Sequence, residues 1–321
     1  MTRAVLEIEG LSVEYATQKG RVHAVTDVNL ELAEGESIGL VGESGCGKTT
    51  LALALMRILA DNGRIVSGRV VLDGEDLLQL SEPEMAKRRW RAISMVFQSA
   101  MNCLNPVHRV ADQIVEAIMQ HEDVSPREAM DRTRSLFEVV GLDASLLRRY
   151  PHEYSGGMRQ RAVIAMALAC NPKVIIADEP TTALDVLVQH RILEQLTEIQ
   201  SRRRMAMIYI SHDIAVIAQV SKSVGVMYAG RLVERGPVRE TFKRPIHPYT
   251  EALMDSVPSV GGEKRPLRLL GGDPPDLLNL PVGCAFAARC PRVQARCRSE
   301  APPIVSYEGR WAYCWNPVNQ P

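Results

Sequence analysis

Aromatic residues make up only 5% of the 321-residue chain, and no net charge survives, because 38 Lys and Arg balance 38 Asp and Glu. That balance argues against bulk electrostatic binding of DNA or RNA, which relies on a cationic surface. It leaves room for a local basic patch. Long apolar runs are missing too. Spanning a bilayer takes roughly 18–20 consecutive apolar residues, whereas Ala162 to Cys170 is half as long and stops at Asn171-Pro172. The opening Met1-Thr2-Arg3 leads into an alternating segment, not the apolar core of a signal peptide. The reading is a soluble, cytoplasmic chain that works on a membrane only through a partner.

Cysteine is scarce as well, with seven residues unevenly placed. Cys46, Cys103 and Cys170 are scattered, while Cys284, Cys290, Cys297 and Cys314 crowd the end. An odd total without a leader argues against a disulfide framework. Four clustered thiols in a reducing compartment suggest a metal or cluster site. Ample Leu, Ile and Val beside 24% charged residues exclude a disordered chain. The length fits two domains, or one large domain with an appendage.

Val5 to Glu9 and Val28 to Leu32 alternate apolar and polar residues, as strands with one wet face do. Ser37 to Val41, Val174 to Ala177 and Met207 to Ile210 are continuously apolar and read as buried strands. Val224 to Tyr228 and Arg231 to Glu234 form a hairpin pattern about Ala229-Gly230. Between Asn102 and Leu168 the period becomes helical, predicting helices over Val110 to Gln120, Pro126 to Val140 and Met158 to Ala169. Gln189 to Arg203 is a further amphipathic helix. Residues 258 to 283 carry Pro258, Gly261-Gly262, Gly271-Gly272, Pro274-Pro275 and Pro281, a linker-like composition. No internal repeat or low-complexity tract is present.

Gly42-Glu43-Ser44-Gly45-Cys46-Gly47-Lys48-Thr49 fits the phosphate-loop pattern and follows a buried strand. Its glycines let backbone N–H groups converge on phosphate oxygens. Lys48 can reach the β and γ phosphates, and the Thr49 hydroxyl can ligate Mg²⁺. The strand ending at Ala177 delivers Asp178, suited to holding Mg²⁺, and Glu179, suited to polarising a water. Alone, that acidic pair reads equally as a helix cap. Tyr154-Ser155-Gly156-Gly157-Met158-Arg159-Gln160-Arg161 is a second glycine turn opening a helix. One nucleotide needs one such cradle, so the second requires another explanation.

Over roughly residues 4–250 these pieces, in this order, resemble the nucleotide-binding subunit of an ATP-binding cassette (ABC) transporter. Tyr15, the phosphate loop, Gln98 after Ser94 to Phe97, the Ser155 turn, Asp178-Glu179, Thr182-Ala183-Leu184-Asp185 and His212 complete the family set. Tyr154 and Met158 depart from the usual Leu-Ser-Gly-Gly-Gln signature, in a manner similar to the peptide-importer branch. The resemblance implies a P-loop NTPase (RecA-like) α/β core with an antiparallel β subdomain, a helical subdomain at about 99–170, and a small cysteine-containing extension. The nucleotide-binding domain would cover 1–257 and the extension 258–321.

It also implies roles. Tyr15 would stack on adenine, and Gly42 with Ser44, Gly45, Cys46, Gly47, Lys48, Thr49 and Thr50 would bind the phosphates. Thr49, Gln98 and Asp178 would organise Mg²⁺, Glu179 would be the general base, and His212 would contact the γ-phosphate. Ser155, Gly156, Gly157, Met158 and Asp185 would act on ATP held by a partner cassette. The tail, with Arg244 to Thr250 and the four cysteines, resembles the extension of oligopeptide and dipeptide importers. Four thiolates suit a [4Fe–4S] cluster or zinc. The spacing, five residues between Cys284 and Cys290, is wider than common zinc pairs and favours the cluster, which members of this branch carry.

The expected function is ATP hydrolysis driving peptide import at the cytoplasmic face of the inner membrane. Partners would be a second, related cassette chain, two transmembrane permeases and an extracytoplasmic binding protein, with no nucleic acid. The helical insertion would receive a short helix of the permease. Nickel, glutathione or oligosaccharides are alternative cargoes. A soluble cassette ATPase of DNA repair or translation is a different class, but no heptad run and only one motif set are present. An iron–sulfur regulatory protein would leave the ATPase motifs idle.

Overall fold

The computed structural model describes residues 4–98, 103–182, 184–256 and 270–319. The onset of the helical insertion at Asn102, Ala183 of the Thr182 motif, and Pro258 with Gly261-Gly262 lie outside the described residues.

In chain order, β1 (Ala4–Thr17), β2 (Gly20–Ala33) and β3 (Ser37–Val41) precede α1 (Lys48–Leu55). Then come β4 (Gly63–Leu72), β5 (Glu75–Asp76), α2 (Glu82–Arg88) and β6 (Ile93–Val96). Three helices follow, α3 (Val110–His121), α4 (Pro126–Val139) and α5 (Gly156–Ala167). Strand β7 (Val174–Asp178), α6 (Val186–Arg203), β8 (Ala206–Ile210) and α7 (Ile214–Val220) restore the α/β alternation. The hairpin β9 (Ser223–Tyr228) and β10 (Arg231–Pro237) leads to α8 (Val238–Lys243) and α9 (Pro248–Asp255). The chain ends with α10 (Arg296–Ser299), β11 (Ile304–Tyr307) and β12 (Arg310–Tyr313).

An antiparallel sheet has the order β2-β1-β4-β5. The chain resolves into two compact units. The first comprises Met1–Glu7, Glu31–Ser37 and Val71–Tyr209, the second Ile8–Leu30, Ile38–Val70 and Ile210–Pro321. In the first, parallel strands β6 and β7 run in register from Ile93 opposite Val174 to Val96 opposite Ala177, with β8 beside β7. Every residue of these strands is buried, which is why they read as continuous apolar runs. Helices α3, α4 and α5 pack on one another, burying Ile114, Ile118, Leu136 and Phe137. Ser125 caps α4 by accepting from Glu128 N at 3.2 Å, with Pro126 at the first helical position.

In the second unit the strand order is β11-β12-β10-β9-β3. Strands β3 and β9 are parallel, from Ile38 opposite Ser223 to Val41 opposite Val226. The predicted hairpin is present, with Ala229 at φ 47° and Gly230 at φ 79°, the left-handed pair that a tight two-residue turn requires. Beyond the linker-like segment 258 to 283, β12 pairs with β10, setting Ala312 opposite Glu234. The antiparallel β11–β12 hairpin, with Val305 opposite Ala312, was not predicted, since its four-residue strands carry too few alternations to stand out. Helix α5 starts at Gly156 and not Met158, and α6 at Val186 and not Gln189. In each case a capping side chain, Ser155 or Asp185, sets the start before the apolar period begins.

Candidate functional site

In the second unit, the phosphate-loop segment leaves β3 at Gly42. Gly42 has φ 151°, and a Cβ there would meet Met227 O at 2.1 Å, so no other residue fits. Gly45 has φ 78°, but a Cβ would meet nothing within 4 Å. Its glycine serves backbone conformation and leaves the approach to the loop open. Lys48 is buried, and its Nζ donates to Gly42 O at 2.8 Å and Glu43 O at 3.0 Å. It also reaches Cys46 Sγ at 3.4 Å. Burial pushes the Cys46 thiol up, against the pull of Lys48, so it stays neutral. Ser44, Gly45 and Thr49 are exposed. No acidic side chain and no side-chain cap occupies the first turn of α1, so its partial positive charge stays open to an anion.

Glu43, within the loop, is held by groups far along the chain. Its N–H donates to Tyr249 Oη at 2.9 Å, and Arg289 Nη1 and Nη2 donate to its carboxylate at 2.7 and 2.8 Å. Sequence reasoning missed Arg289, whose only signal was its place beside Cys290, and gave Tyr249 no role beyond its place in the Arg244 to Thr250 segment. Tyr15 is half-buried on β1, and a side chain at Gly63 would meet its ring edge at 2.7 Å. His212 is exposed, flanked by Ser211 and Asp213. Asp213 caps α7 by accepting from Ala215 N at 2.8 Å.

In the first unit, β6 and β7 bring Gln98 and Glu179 together. Gln98 Nε2 donates to Glu179 Oε2 at 2.8 Å, and Thr182 Oγ1 donates to the same oxygen at 3.0 Å. Asp178, the last residue of β7, is 1% exposed, whereas Glu179 is half-buried. Glu179 has φ 46°, a left-handed backbone that turns its side chain away from the strand's alternation at some conformational cost. One residue's spacing therefore yields two differently placed carboxylates.

The second glycine turn is a capped helix start. Ser155 Oγ accepts from Met158 N at 3.3 Å, and Ser155 itself is exposed. Gly157 lies against α6, where a Cβ would meet Val188 Cγ1 at 2.6 Å. Tyr154 is buried and its hydroxyl donates to Leu146 O at 2.8 Å. Burial pushes its phenol up, so it stays a donor. The aromatic departure from the signature is thus a satisfied packing residue. Asp185 Oδ1 accepts from Val188 N at 2.9 Å, and the next residues, Val186 and Leu187, are 80% and 73% exposed.

Cys284, Cys290, Cys297 and Cys314 line one pocket, together with His247, Phe286 and Trp315. Burial raises the Cys284 and Cys290 thiols and takes Cys314 up to about 12, with the neighbouring cysteines adding to each rise. Backbone N–H groups of Gln294 and Asn316 point at the Cys297 and Cys314 sulfurs, at 3.4 and 3.3 Å. Among the described residues, no three His, Cys, Asp or Glu side chains are grouped so as to hold one metal ion.

A family model described as ABC transporter matches residues 25–182, and one described as oligopeptide/dipeptide transporter, C-terminal region, matches residues 233–297. The oligopeptide transport ATP-binding protein OppD of Escherichia coli (strain K12) is 45% identical over 320 residues, covering 99% of this chain and 94% of its own. The dipeptide transport ATP-binding protein DppD of Bacillus subtilis (strain 168) is 42% identical over 315 residues, covering 97% and 94%. Among solved structures, the dimeric post-hydrolysis state of the ATP-binding cassette MJ0796 bound to ADP and Pi matches with a TM-score of 0.66 and 25% identity. That match covers 73% of this chain and 99% of the other.

Proposed function

Because the chain belongs to the ABC transporter ATP-binding proteins of the oligopeptide and dipeptide transport branch, we propose that it hydrolyses ATP to drive peptide import. The observation that carries this reading is the phosphate loop, whose buried Lys48 ammonium lies against the Gly42 and Glu43 carbonyls. Lys48 and the loop amides take the β and γ phosphates, Ser44 to Thr50 enclose them, and Tyr15 stacks on the adenine. By the family resemblance Thr49, Gln98 and Asp178 would be the residues that hold Mg²⁺, which would supply neutralisation of phosphate charge. Glu179 accepts the proton of the attacking water, and His212 contacts the γ-phosphate.

Ser155, Gly156, Gly157, Met158 and Asp185 close on ATP bound to a second cassette of related sequence. The exposed Val186 and Leu187 beside Asp185 support a surface that a partner covers. No described helix is long and apolar enough to cross a membrane. Two permease subunits supply the pathway in this reading, with α3, α4 and α5 docking one of their cytoplasmic helices. An extracytoplasmic binding protein delivers the peptide.

In this reading the pocket cysteines would hold a [4Fe–4S] cluster, with zinc as the alternative. In a cluster each thiolate would take a different iron, and what supports this reading is that the four cysteines line one pocket. When bound, the cluster would supply a covalent cross-link among the tail segments. The test of the whole reading is reconstitution with both permeases and the binding protein. Peptide-stimulated ATP hydrolysis supports it, and hydrolysis indifferent to every peptide offered refutes it.

A further inference from the structure

Glu43 has all three polar handles occupied. Its N–H goes to Tyr249 Oη, its carbonyl accepts from Lys48 Nζ, and its carboxylate takes the two-pronged Arg289 fork. The Arg289 side chain is only 5% exposed, and that of Glu43 28%. The guanidinium is gripped further by Gly271 O, which accepts from Nε at 3.0 Å, and by Tyr228 Oη at 3.2 Å from Nη1. Tyr228 in turn packs on Tyr249 and Phe286, and Phe286 lines the four-cysteine pocket. Arg289 immediately precedes Cys290.

A desolvated ion pair adds little net stability against an apolar alternative, but a planar fork specifies geometry. Here the geometry it specifies is that of a residue inside the loop. A carboxylate in a loop built to receive polyanionic phosphate is also a repulsive charge unless it is neutralised.

We propose that Arg289 is a positioning residue for the phosphate loop, pinning and neutralising Glu43 so that the C-terminal extension sets the affinity for ATP. The proposal rests on the ATP-binding role proposed above. Without the fork, Glu43 swings free, its carbonyl shifts relative to Lys48, and ATP meets a bare negative charge. The bound, hydrolysing state remains reachable once ATP is saturating, so the defect lies in KM and not in kcat.

The test compares ATP titration and ATPase kinetics of the full chain with Arg289→Ala, Arg289→Lys, Glu43→Gln and the Arg289→Ala/Glu43→Gln double variant. Arg289→Ala is expected to raise Kd and KM for ATP about tenfold, which is ~1.4 kcal/mol and the scale of one partly screened charge repulsion, with kcat nearly unchanged. Arg289→Lys keeps the charge but not the fork, and should recover part of that loss. The double variant should bind ATP better than Arg289→Ala alone, because no unpaired carboxylate is left. Unchanged KM in both arginine variants, or a fall in kcat at unchanged KM, overturns the proposal. If Arg289→Ala fails to fold, Arg289→Lys carries the same KM test. Failure of the wild-type chain to bind ATP would instead overturn the function proposed above.

Discussion

Gln98 and Glu179 share a hydrogen bond of 2.8 Å, from an amide just past β6 to a carboxylate just past its parallel neighbour β7. The Thr182 hydroxyl donates to the same oxygen, so the carboxylate proposed as base is oriented before any nucleotide arrives. Pre-orientation of this kind avoids reorganisation at the moment of reaction.

Glu179→Gln keeps an acceptor for both donors but cannot take a proton. Phosphate release should fall by about 10²–10⁴-fold, while ATP still binds and chains accumulate as dimers in light scattering. Turnover unchanged in the assembled transporter would remove Glu179 from the role of base.

Lys48→Ala deletes the cation of the loop together with its bonds to Gly42 O and Glu43 O. Equilibrium dialysis should show ATP affinity reduced by about tenfold or more, the worth of one charged hydrogen bond. Retained affinity would count against the phosphate-loop assignment.

Tyr154→Phe removes the bond to Leu146 O and nothing else that touches the signature turn. Urea unfolding should show a loss of about 1 kcal/mol, with ATP turnover kept. Lost turnover at unchanged stability would mean that the aromatic residue acts in the chemistry.

If Ser155 and Asp185 complete the neighbour's site, turnover per chain should rise with protein concentration, or on adding the second cassette, before levelling off. Ser155→Arg should abolish that rise by blocking the exposed turn. A turnover independent of concentration in chains shown to be monomeric by sedimentation would defeat the two-cassette arrangement.

Protein purified without oxygen should contain iron and absorb in the visible range, and Cys284→Ser or Cys314→Ser should remove both signals. A colourless protein carrying one zinc per chain would replace the cluster with a zinc site.

Much of the fold was legible because its signals are local. The buried strands β3, β7 and β8 are unbroken apolar runs, and the Pro126 helix announces itself through Ser125. The β9–β10 hairpin is visible as two apolar segments about Ala229-Gly230. Helix starts were misplaced where a cap precedes the apolar period, as at Ser155 and Asp185. Strands β11 and β12 escaped notice because four alternating residues are too few to distinguish a strand from a loop.

The chain's chemistry is written in residue order: a glycine loop ending in Lys48-Thr49, an acidic pair after a buried strand, and four closing cysteines. Such motifs are readable because backbone geometry over a few residues imposes their spacing. Only the tertiary structure decided that Gln98 orients Glu179, that the four thiols line one pocket, and that Arg289 grips Glu43 from 246 positions away. Contacts between residues so distant leave no periodicity in the chain. They exist only once the chain has folded and desolvation has made pairing the favourable state for a buried charge.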